Sequence, residues 1–117
     1  MSEIAFNIDS NKKLAFLKKI SAIEKNLYQA GIESKFTDPK QKEKFKEYRS
    51  KWTSFVNAVN INTATVLVNK LEQNDKGFED GIKAINQEIQ EINDTVGFLE
   101  ILSRTIDIFD NIVRLGI

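Results

Sequence analysis

The chain has 117 residues, 41% of them hydrophobic and 29% charged, the balance of an ordinary globular chain with one modest core. It contains neither cysteine nor histidine, which excludes disulfides and thiolate metal sites and removes the commonest general base and metal ligand. Net charge is zero but lopsided: residues 1–60 carry 12 Lys/Arg against 7 Asp/Glu, and residues 61–117 carry 5 against 10, so the two halves attract when folded together.

Residues 1–8 read as an extended lead-in, with Ile4, Phe6 and Ile8 alternating. A first helix is expected over 9–30, capped by Asp9 or Ser10 and burying Leu14, Phe16, Leu17, Ile20, Ile23 and Leu27. Ala30-Gly31-Ile32 should stop it, with Gly31 in the left-handed turn and Ile32 folding back on Leu27. A second helix is expected over 38–74. Asp38 would cap it, Pro39 suits its first position, and Gln41 would complete a capping box. Its apolar face is Phe45, Tyr48, Trp52, Phe55, Val56 and Val59, continuing less cleanly through Thr63, Val66, Leu67 and Leu71. Asn60-Ile61-Asn62-Thr63 has poor helix propensity and predicts a kink or break near 60–63.

Asn74-Asp75-Lys76-Gly77 reads as a turn into a third helix over 77–115. Its seam is Phe78, Ile82, Ile85, Ile89, Ile92, Val96, Leu99, Leu102, Ile106, Phe109 and Val113, at steps of three and four. Asp94 or Thr95 could cap a fresh helix at 94–97, but the seam keeps its phase from Ile92 through Val96 to Leu99 and falls out of phase only from Leu99 to Leu102, which favours continuity. The expected fold is therefore all-α and a single domain. It is an elongated antiparallel bundle of three main helices, a long hairpin plus a shorter N-terminal helix, or five helices if both weak points break.

Beyond the seam, Phe98, Ile101, Ile108, Ile112 and Leu115 offer a second apolar surface, leaving Glu100, Arg104, Asp107 and Arg114 as a narrow polar line. The expected use of that surface is a homodimer interface, the competing one internal packing. The most basic run is Lys40, Lys42, Lys44, Lys46, Arg49 and Lys51, a candidate contact for nucleic acid or an anionic surface. Because Phe45, Tyr48, Trp52 and Phe55 share one helix face, those aromatics read as core and not as stacking platforms. The pairs Glu88/Glu91 and Asp107/Asp110 lie on the polar side, without the Glu-x-x-His pattern of a di-metal bundle site. No phosphate-cradling loop, nucleophile elbow or zinc spacing occurs. No catalytic residue, cofactor or metal is expected.

The expected function is non-enzymatic: a protein–protein interaction module, an adaptor or an immunity-type inhibitor, self-associating as a dimer. A nucleic-acid or anionic-surface binder is the alternative, and a membrane-active helical protein a lesser one. Met1 to Asp9 lacks the basic start and apolar run of a secretory signal, and charges interrupt every apolar stretch that could span a membrane. The expected location is the cytoplasm, or outside the cell by a route without a cleaved signal.

Overall fold

The computed structural model describes residues 2–29, 31–61 and 64–113, and among these residues there are four α-helices. They are α1 (Ser2–Leu27), α2 (Pro39–Ile61), α3 (Ala64–Gln90) and α4 (Thr95–Val113), with one 3-10 turn at Glu33–Lys35 between α1 and α2. The fold is all-α, with no strand among the described residues. With extents of 54 × 28 × 22 Å it is elongated.

Helix directions follow from who meets whom. Lys12 pairs with Glu72 and Lys19 with Glu79, so α1 and α3 run parallel. Lys13 reaches the Asn60 carbonyl and Trp52 that of Ile20, so α1 and α2 are antiparallel. Gln41 meets Thr95 and Trp52 meets Phe109, which makes α2 and α4 parallel. Gly77 faces Ile108 and Gly81 faces Thr105, so α3 and α4 are antiparallel. The main packing pairs are α3 with α4, α1 with α3, α2 with α4 and α1 with α2. Around the bundle the order is therefore α1, α2, α4, α3, and the chain crosses a diagonal between α2 and α3.

Several expectations change. Over residues 2–8 the lead-in is not extended: α1 already begins at Ser2. That helix ends at Leu27, short of Ala30, which lies outside the described residues. Gly31 does adopt the left-handed conformation, at φ 94°. The turn expected at Asn74–Gly77 lies inside α3. Gly77 and Gly81 are spaced by one helical turn and let α3 approach α4 closely, so their purpose is interhelical contact. Both weak points are helix boundaries, so the break expected near 60–63 is present and the continuity favoured near 94–97 is not. α2 ends at Ile61 and α3 begins at Ala64, with Asn62 and Thr63 outside the described residues. The continuous helix expected through 94–97 is interrupted at residues 91–94.

That second interruption has a local cause. The Gly97 backbone N–H donates to Asp94 Oδ1 at 2.9 Å, and Phe98 N–H bonds the Asp94 carbonyl at 3.0 Å. Asp94 thereby satisfies donors at the start of α4 that a continuous helix would have directed into its preceding turn. An Asp94→Ala change is expected to cost about 1 kcal/mol in urea unfolding; an unchanged midpoint would show that the cap contributes nothing. Asp38 caps α2 in the same way, accepting from Lys40 N–H at 2.8 Å. Gln41 departs from its expected capping-box role: its Oε1 accepts a hydrogen bond from Thr95 Oγ1 at 2.6 Å and ties the starts of α2 and α4 together.

The core has two aromatic clusters. Phe109 is central to the first, its ring centroid 5.9 Å from Phe16, 4.9 Å from Trp52, 5.1 Å from Phe55 and 5.2 Å from Phe78. These are edge-on geometries that aromatic quadrupoles favour. Trp52 is fully buried and its indole N–H donates to the Ile20 carbonyl at 2.9 Å, so its polar atom is satisfied. In the second cluster Phe36, from the α1–α2 connection, stacks on Phe45 at 4.6 Å and lies 6.2 Å from Phe98. The connection thus supplies a buried plug.

Candidate functional site

The apolar surface expected at Phe98, Ile101, Ile108, Ile112 and Leu115 is not a free face. Phe98 is 0% and Ile112 1% exposed, both inside the monomer's core. Ile101 and Ile108 are half-buried and packed against that core. Leu115 lies outside the described residues. The physical reason is the break at 91–94: once α4 folds back on α3, residues that would have pointed away from a straight hairpin meet α3, α2 or, for Phe98, Phe36 of the α1–α2 connection. Phe98, Ile101, Ile108 and Ile112 are internal packing.

The basic run is divided as well. On α2, Lys40, Lys44 and Lys51 fall on the flank toward α4, whereas Lys42, Lys46 and Arg49 fall on the flank toward α1, with Glu43 on the outer side and Glu47 between it and the α4 flank. Arg49 is committed to the fold: it donates to Glu33 at 3.0 Å and lies over the Tyr28 ring at 4.5 Å and the Phe45 ring at 5.2 Å. Six positive side chains in sequence therefore do not make one patch in space.

Among the described residues two interhelical grooves lie on the surface, both between parallel helices. The α1/α3 groove has Phe16, Val68 and Leu71 beneath it. The ion pairs Lys12–Glu72 and Lys19–Glu79 cross it. The α2/α4 groove is floored by Tyr48, Leu99 and Val96, with Lys44 on the α2 wall and Glu100 on the α4 wall. No ion pair crosses this second groove among the described residues; the pairs there, Glu47–Lys51 and Glu100–Arg104, close within each helix. Val96 is 54% exposed, although seam spacing places it in the core. With Asp94 as cap, Val96 sits in the first turn of a new helix and faces out across the groove.

Val96, Tyr48 and Leu99 are the groove residues that periodicity assigns to the core. The clue available in sequence is the Asp94-Thr95 cap signal, which restarts the helical phase just before Val96. Among the described residues no group of three or more carboxylates could hold a metal ion, and no helix is long and apolar enough to cross a membrane. No protein family, curated protein or solved structure matches the chain.

Proposed function

We propose that the protein is a non-enzymatic interaction module that binds another protein chain through the α2/α4 groove. The observation that carries this reading is the groove itself: a half-exposed valine between walls of opposite charge that no ion pair bridges. The rigid bundle presents that face without rearrangement, so binding is steric, masking or bridging the partner as an adaptor or an immunity-type inhibitor does. Exclusion of water around Val96 and Tyr48 supplies affinity, and the charged walls set orientation. Self-association belongs to this proposal, relocated from residues 98–115 to this face. Binding of nucleic acid or an anionic surface through residues 40–51 is the weaker reading, because the lysines are split between two flanks. The proposed compartment is the cytoplasm, or outside the cell by a route without a cleaved signal.

A photo-crosslinking side chain at Val96, activated in an extract of cells that express the protein, tests this. The expected result is a covalent adduct with a protein chain, absent when the crosslinker replaces exposed Lys83 on α3. Equal labelling at both positions, or none at Val96, would sink the proposal.

A further inference from the structure

Lys44 and Glu100 line the α2/α4 groove, and the exposed charges that continue from them along the two helices are matched in register. Lys44, Glu47 and Lys51 recur at steps of three and four along α2, so they line one side of that helix. Glu100, Arg104 and Asp107 recur at steps of four and three along α4. All six side chains are exposed. The contacts Gln41–Thr95 and Trp52–Phe109 set the height of one helix against the other. They bring Lys44 level with Glu100, Glu47 level with Arg104 and Lys51 level with Asp107. A row reading plus, minus, plus therefore stands beside a row reading minus, plus, minus.

Within one chain these rows do not join. The α1/α3 groove shows what joining looks like, since its lysines and glutamates meet across it. On the α2/α4 face the ion pairs among the described residues run along each helix, Glu47 with Lys51 at 3.9 Å and Glu100 with Arg104 at 3.7 Å. Such exposed pairs contribute little, and their members are available to better-placed partners.

We infer that this face takes a second copy of the same chain, related by a two-fold axis lying along the groove. Rotation about that axis keeps heights and exchanges the walls, so α2 of one copy faces α4 of the other. Lys44, Glu47 and Lys51 then oppose Glu100, Arg104 and Asp107 of the second copy, twice over by symmetry. A two-fold axis across the groove would instead set α2 against α2 in antiparallel fashion and lose the match. Val96 and half-buried Tyr48 of both copies fall between the charged rows, the apolar part of the interface. The inference rests on the proposed protein-binding role of the groove and names its occupant.

Light scattering behind a sizing column tests it with the full chain. The wild-type protein is expected to dimerise at low salt, with the dissociation constant rising at least about tenfold between ~0.05 and ~0.5 M salt as the paired charges are screened. Lys44→Glu/Lys51→Glu and Glu100→Lys/Asp107→Lys each set like charges together and are expected to weaken the dimer about 100-fold or more. Mixing the two variants should restore a dimer, because the altered α2 of one then faces the altered α4 of the other. Circular dichroism should show both variants folded, since all four positions are exposed. If a variant unfolds, the single changes Lys44→Glu and Glu100→Lys carry the same mixing test. A wild-type monomer at every concentration, or a dimer indifferent to the reversals, overturns the inference. Crosslinking at Val96 separates the two levels of the argument: an adduct with a different protein removes the second copy and keeps the binding role, and no adduct removes both.

Discussion

Phe109→Ala is expected to remove about 3–5 kcal/mol of stability, the range for deleting a buried aromatic ring. Phe109 is fully buried, and its ring contacts Phe16 of α1, Trp52 and Phe55 of α2, and Phe78 of α3. One side chain thereby joins all four helices, and no single neighbour can collapse into the space it would leave. A domain of this size typically has about 5–15 kcal/mol in total, so the variant should be partly unfolded or unfold at much lower denaturant. Urea unfolding followed by Trp52 fluorescence measures the change, because the buried indole lies in the same cluster. Phe109→Leu retains most of the volume and should cost far less, about 1.5 kcal/mol. Equal losses for alanine and leucine would contradict a cavity-based account.

Gly81→Ala should destabilise by about 2 kcal/mol although alanine is the better helix former. A Cβ at Gly81 would lie 2.3 Å from Thr105 Oγ1, 2.9 Å from its Cγ2 and 3.0 Å from its Cβ. Thr105 is buried, β-branched, and donates its hydroxyl to the Ile101 carbonyl at 2.8 Å, so it cannot swing aside. Relief requires α3 to move off α4, an overpacking cost of up to about 3 kcal/mol against a propensity gain of about 1 kcal/mol. Gly77→Ala is the contrasting case: its Cβ would meet only the flexible Cδ1 of Ile108 at 3.2 Å. That change should be neutral or stabilising by up to about 1 kcal/mol. Thr105→Ala combined with Gly81→Ala should recover much of the loss, a coupling that a double-mutant cycle reads directly. Similar stabilities for the two single glycine variants would mean that α3 and α4 do not meet at Gly81.

Local signals were legible wherever a residue acts on its own few neighbours. Asp38 and Pro39 start α2 as their chemistry requires, Gly31 takes the left-handed turn, and Asp94 caps α4. The two stretches of poor helix propensity, near 60–63 and 94–97, fall at helix boundaries. Periodicity identified nearly all of the core: Phe45, Trp52, Phe78, Ile82, Ile85, Ile89, Leu102, Ile106 and Phe109 are buried. The exceptions are instructive. Leu14 and Val96 keep helical phase yet are 58% and 54% exposed, because phase says which side of a helix is apolar and not whether a neighbour covers it.

The sequence by itself determined an all-α chain, the capped start of α2 and most of the buried residues, since propensity, capping and apolar spacing act within a few turns. Only the tertiary structure decided where the chain reverses, that α2 and α3 lie across a diagonal, and which surface stays open. Two helices joined by a break can keep one seam in phase, so spacing alone did not separate the fold-back at 91–94 from a straight helix. Gly77 has the same composition signature in a turn and in a close helix crossing, and the presence of Thr105 and Ile108 opposite Gly81 and Gly77 is what distinguishes them. The α2/α4 groove, with its matched charges, depends on a register between helices that are far apart in sequence. That register is set by packing around Trp52 and Phe109 and by the Gln41–Thr95 hydrogen bond, all of them long-range contacts.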